Sequence, residues 1–136
     1  MGYQPRLTRF KAYTNLDKYV GVVSWTKISI NNADYNDQGA FDAANNPFVA
    51  TVDGTYIFGA TLMYKVNASY ATRMSARLVF DDTSEIRGFF GEIAGSYVSE
   101  ATALWLQTMV VLTAGDAVEL QGNFRAADGY FAADHT

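Results

Sequence analysis

The chain is predicted to be all-β, a jelly-roll sandwich of two antiparallel sheets, and three observations carry that reading. Apolar side chains recur at every second residue over stretches of roughly five to nine residues, the period of a half-buried strand. Clusters of Gly, Asn and Asp interrupt those stretches about every ten residues, as turns between short antiparallel strands do. The length, 136 residues, suits one domain with a single core.

Each element follows in order. Val20 to Ile30 reads as a strand pair or one long bent strand, with Val23, Trp25 and Lys27 on one face. Residues 31–46 are the longest irregular stretch, opening on a polar loop of Asn31, Asn32, Asp34, Asn36, Asp37 and Gly39. Pro47 to Val52 starts a strand, and Val52-Asp53-Gly54-Thr55 predicts a hairpin reversal, because Asp-Gly suits the tight turns that join adjacent strands. Tyr56, Phe58, Ala60, Leu62 and Tyr64 then share one face, and Ile57, Gly59, Thr61, Met63 and Lys65 the other. Arg73 to Phe80 alternates again, and Asp81-Asp82-Thr83-Ser84 turns the chain. Ile86 to Gly95 is rich in glycine and aromatic residues, and Thr102 to Leu112 keeps Leu104, Leu106, Thr108, Val110 and Leu112 in step. A helix over 93–112 fails, because Thr108, Val110 and Val111 are β-branched and glycines precede them. Ala114-Gly115-Asp116 reverses the chain into Val118, Leu120 and Gly122. After Tyr130-Phe131 no clear last strand is visible, so residues 1–136 are expected to form one domain with an open sheet edge.

Composition excludes several classes of function. Ten Lys and Arg against 14 Asp and Glu leave a net charge of −4, with no basic stripe for a nucleic acid. Without cysteine there is no thiolate metal site or thiol nucleophile, and the one histidine, His135, has no partner for hydrolytic work. The adjacent acids Asp81 and Asp82 with Glu85 sit at a turn and point apart, unlike a glycosidase pair. No apolar run is long enough for a membrane span, and the start MGYQPRLTRFK lacks the apolar centre of a signal peptide. Charged residues are 18% and aromatic ones 15%, a balance that points to a surface partly covered by another subunit. A binding module, not an enzyme, is the expectation.

One stretch is more specific. Tyr35-Asn36-Asp37-Gln38-Gly39-Ala40-Phe41-Asp42, followed by Phe48-Val49-Ala50-Thr51-Val52-Asp53-Gly54-Thr55-Tyr56-Ile57-Phe58, resembles the central signature of C1q-like globular domains in the C1q/TNF superfamily. Leu112-Thr113-Ala114-Gly115-Asp116-Ala117-Val118-Glu119-Leu120 resembles that family's second signature, and Trp25 stands where an aromatic residue is common. The resemblance runs from about Val20 to Phe131. It implies a jelly roll that assembles as a homotrimer and acts by binding. It also implies core and trimer packing for Trp25, Phe41, Phe48, Tyr56, Phe58, Leu62, Tyr64 and Val118, and turns at Gly54, Gly115 and Asp116. The family's final Phe-x-Gly strand has no counterpart after Phe131, and the collagen-like stalk and disulfide of some animal members are missing. Small cysteine-free versions resemble modules of bacterial and phage surface proteins, which favours a virion or extracellular surface.

Within that frame the polar loop is the expected contact surface. Asp34, Tyr35, Asp37 and Asn45 are the candidate ligand residues, able to exchange hydrogen bonds with sugar hydroxyls or to stack on a sugar ring. Asp34, Asn36, Gln38 and Gly39 mimic the opening of a calcium loop, but Asn45 at the twelfth position cannot supply the bidentate carboxylate. A looser calcium site on Asp34, Asp37 and Asp42 is the weaker alternative; no other cofactor is implied. The expected partners are two further copies and a glycan or surface protein. The alternative is a purely structural trimerisation or capping domain of a fibre or virion.

Overall fold

A computed structural model describes residues 8–20, 24–45, 47–66, 73–81, 83–94, 101–124, 129–134 and 136. Val23, Asp82 and His135 lie outside the described residues. The strands are β1 (Phe10–Tyr13), β2 (Lys18–Val20), β3 (Thr26–Lys27), β4 (Asn32–Asn36), β5 (Phe48–Val49), β6 (Gly54–Val66), β7 (Arg73–Phe80), β8 (Ser84–Ala94), β9 (Ala101–Leu112), β10 (Ala117–Phe124) and β11 (Gly129–Phe131). One sheet has the order β2-β11-β6-β9, and the second β3-β10-β7-β8 with β5 also on β10. A separate ribbon pairs β1 with β4, and every pairing is antiparallel. The fold is the predicted all-β jelly-roll sandwich. No helix among the described residues is long and apolar enough to cross a membrane.

The long strand β6 shows why the sandwich forms. Its period of two sends Phe58, Leu62 and Tyr64 into the core, with Tyr56 and Ala60 packed beside them. Met74, Ala76 and Leu78 of β7 and Val118, Leu120 and Phe124 of β10 meet them from the second sheet. Each large apolar side chain so buried contributes about 1.5–3 kcal/mol. Aromatic edges tie the layers together, Phe48 against Phe58 at 5.1 Å and Tyr64 against Phe124 at 5.5 Å between centroids. The Tyr64 hydroxyl donates to the Ile93 carbonyl at 3.2 Å. Burial pushes its pKa up to about 12.

Four expectations change. Asn32–Asn36 is not loop but strand β4, paired with β1 at Phe10↔Asn36 and Tyr13↔Asn32. Only Asp37–Gly39 (a 3-10 turn) and the stretch after it remain irregular. The Asp53-Gly54 step is not a hairpin, because β5 pairs with β10 while β6 lies in the other sheet. The chain crosses the sandwich there, and Gly54 is not among the residues with positive φ. Gly115, in contrast, needs its φ of +94°. Its turn is held by Thr113 N–H donating to the Asp116 carboxylate at 2.8 Å, and Ala114 N–H donates to Asp53 at 2.8 Å. Ala50 N–H donates to the Asp116 carbonyl at 2.9 Å and Gly115 N–H to the Ala50 carbonyl at 2.8 Å, clasping the two crossovers together.

The last two changes concern the end of the chain and Trp25. Gly129–Phe131, not read as a strand in the sequence, forms β11, inserted between β2 and β6. Phe131 is fully buried, and Ala132 N–H donates to the Met63 carbonyl at 2.7 Å. The segment is too short to show alternation, so its pairing on both sides is invisible in sequence. Trp25 is not core. It sits half-buried on the outside of the second sheet, with the Phe90 ring 5.9 Å away and the Arg77 guanidinium 4.1 Å over its face.

Candidate functional site

The expected ligand residues fall in two places. Asp34, Tyr35 and Asp37 lie on or just after β4, on the solvent side of the ribbon. Asp34 pairs with Lys11 at 2.9 Å and Asp37 with Arg9 at 2.6 Å, so the two charges are answered from β1 and from the residue just before it. The Arg9 guanidinium also lies 5.0 Å from the centroid of the Tyr35 ring. Asn45 belongs to a different turn. There the Asp42 carboxylate accepts from Ala44 N–H at 3.0 Å, from Asn45 N–H at 3.2 Å and from the Asn45 amide at 2.8 Å. These bonds hold the Asp42 pKa below the usual carboxylate range. The three acids of the calcium alternative therefore each have their own partners, and no cluster of three metal-binding side chains occurs among the described residues.

Framework residues surround that surface. The Asn36 side chain accepts from Phe41 N–H at 3.0 Å and donates back to the Phe41 carbonyl, which fixes the start of the turn. Phe41 is buried, stacked on Phe10 at 5.0 Å, and Phe48 stacks on the same ring at 5.3 Å. Phe41, Phe48, Phe58, Leu62, Tyr64 and Val118 all belong to the core of one protomer, with Tyr56 at its border.

The sequence reading expects the strands around Tyr56 to Tyr64 and Ala103 to Val111, now β6 and β9, to line a trimer contact, without saying which of their faces does so. Ile57, Trp105, Met109 and Val111 are between 62% and 76% exposed. The register sets Ile57 opposite Met109, Thr55 opposite Val111 and Thr61 opposite Trp105, so the four large side chains share one sheet face, with the Gly59–Gln107 pair between Trp105 and the other three. Apolar residues on both faces of β9 were visible in the sequence. What was not visible is which face the second sheet covers.

A cleft of about 500 Å³ borders this surface, running between β1 and β6. Phe10 to Tyr13 line one side and Ile57 to Thr61 the other, over an apolar floor that includes Phe58, Leu78, Phe89 and Leu120.

No protein-family model matches the chain, and no curated protein sequence matches it. Among solved structures, the globular domain of zebrafish complement 1qA protein is similar, with a TM-score of 0.51 and 11% sequence identity. The match covers 91% of this chain and 99% of that one. At that identity the likeness speaks for the fold, a C1q-type jelly roll.

Proposed function

We propose that this chain is a non-catalytic binding module that assembles as a homotrimer through the outer face of β6 and β9. The observation that carries the reading is the exposed sheet face that bears Ile57, Trp105, Met109 and Val111. Large side chains concentrated on one sheet face are costly to leave in water and are what a subunit interface consumes. A closed ring of identical subunits buries such a face on every copy. The number three rests on the C1q-type fold. In this reading the trimer contacts are the outward residues of β6 and β9, while Tyr56, Phe58, Leu62 and Tyr64 support them from within.

Recognition of a glycan or surface protein is assigned to the ribbon, where exposed Tyr35 stands between Asp34 and Asp37. The structural-cap reading also has an observation in its favour, since Asp34, Asp37 and Asn45 are all engaged within the protomer. Sedimentation at micromolar concentration tests assembly: a mass of about 45 kDa is expected, three times the 14.9 kDa chain. The double variant Trp105→Lys, Met109→Lys is expected to run as a folded monomer with an unchanged β-type circular dichroism spectrum. A parent mass near 15 kDa would overturn the assembly. A glycan array followed by calorimetry separates recognition from capping.

A further inference from the structure

We infer that the cleft between β1 and β6 is a strand-acceptor slot, which takes an extended partner peptide of about five residues with apolar side chains at alternate positions. The inference starts from the lining. Ile57 to Thr61 are consecutive residues of β6, and consecutive strand residues alternate between the two sheet faces. A cleft that touches all five runs along the edge of the strand.

That edge is open. The pairing of β6 with β9 is unbroken from Gly54 to Lys65, whereas on its other side β11 covers only Tyr64 to Val66. Among the described residues no strand pairs with β6 opposite β9 from Gly54 to Met63. Met63 fixes which groups face the gap: its N–H donates to the Thr136 hydroxyl at 3.0 Å, and its carbonyl accepts from Ala132 N–H at 2.7 Å. Since backbone direction alternates along a strand, the N–H and C=O groups of Ile57, Gly59 and Thr61 point the same way. They present a ladder of donors and acceptors at the two-residue repeat that only another extended backbone matches.

The opposite wall is also a strand. Among the described residues β1 pairs with β4 alone, and its following residue, Thr14, donates its N–H to the Thr136 carbonyl at 2.9 Å and accepts from Asp134 N–H at 2.7 Å. Asp134 and Thr136 thus already bridge β1's end and β6 at one end of the slot. They show how a segment there is held from both sides, and the proposed peptide continues that contact along Ile57 to Thr61. Phe58, Leu78, Phe89 and Leu120 beneath the slot select its apolar inward side chains. Small apolar solutes could enter the same volume, yet they leave the ladder of backbone groups unmatched, and this decides for a peptide.

The inference concerns the backbone edge of β6 and not its outward side chains, so it stands whether or not the protein trimerises. The probe is acetyl-Thr-Val-Thr-Ile-Thr-Val-amide, with a version N-methylated at alternate residues as its control. Amide hydrogen exchange is read residue by residue, and the mass of the assembly is measured in the same sample. The plain peptide is expected to slow exchange of the Ile57, Gly59 and Thr61 amides about tenfold or more. The Tyr56, Phe58 and Ala60 amides, directed at β9, should not change, and the N-methylated peptide should have no effect. Equal protection by both peptides, or none by either at millimolar concentration, overturns the slot. So does finding those three amides already as slow as their neighbours without peptide, which would mean that the chain itself fills the edge.

Discussion

Gly129 and Gly59 are both strand glycines, and the space around them is opposite. A methyl group on Gly129 would stand 2.6 Å from the Lys65 carbonyl and 2.6 Å from the Phe124 ring, and the first of these is backbone that cannot swing aside. Gly129→Ala is expected to cost roughly 1–3 kcal/mol, read from denaturant unfolding. At Gly59 the nearest atom is the Leu106 carbonyl at 3.8 Å, an ordinary contact, so Gly59→Ala should fall within about 0.5 kcal/mol of the parent. Neither environment is legible in sequence, where both are simply glycine in an apolar run. The aromatic core residues were legible because size and period agree. Phe41→Ala should therefore lose roughly 3–5 kcal/mol through the cavity it leaves. Asp37→Ala, which removes only an exposed pair with Arg9, should leave the state of assembly unchanged and melt within a few degrees of the parent. If glycan binding is found and Asp37→Ala leaves it intact, along with changes at Asp34 and Tyr35, the ribbon is scaffold and the contact lies elsewhere.

Among the elements, β6 was readable because one of its faces is buried and the other is not. β4 was missed for the converse reason: in Asn32 to Asn36 only Ala33 and Tyr35 alternate with polar residues, too short and too weakly apolar a signal to stand out from the Asn- and Asp-rich residues around it. Turn chemistry misled at Asp53-Gly54, since two residues can mark a change of direction without saying which sheet receives the next strand. Two flanking contacts tie the closing strand β11 into place. The Asp17 carboxylate accepts from Ala133 N–H at 2.9 Å and lies 3.6 Å from the Lys65 ammonium. That hydrogen bond holds the Asp17 pKa below the usual carboxylate range against the opposing effect of burial, and the lysine adds to the lowering. A carboxylate with a depressed folded pKa stabilises above its unfolded value, and the contribution is lost as pH falls through the folded one. The Ala133 amide is therefore expected to exchange faster, relative to core amides, once pH drops below about 4. In Asp17→Asn that acid-dependent step should disappear.

At the scale of the whole molecule, both faces of β9 are apolar, and a single sequence does not say which one water sees until the second sheet is in place. The structure gives Leu104, Leu106 and Val110 to the core side and Trp105, Met109 and Val111 to the outside. The position of β11 has a consequence for how the molecule is made. Tyr130 pairs with Tyr19 on one side and Lys65 on the other, partners 111 and 65 residues away along the chain. Synthesis delivers β2 and β6 well before β11, so a nascent chain must carry β2 and the end of β6 without the strand that belongs between them. Such closure is non-local and slow, with refolding expected over milliseconds to seconds. Until it occurs, the Gly54–Val66 strand is open along its whole length on that side, and the growing polypeptide is most vulnerable to pairing with a neighbour on the same message.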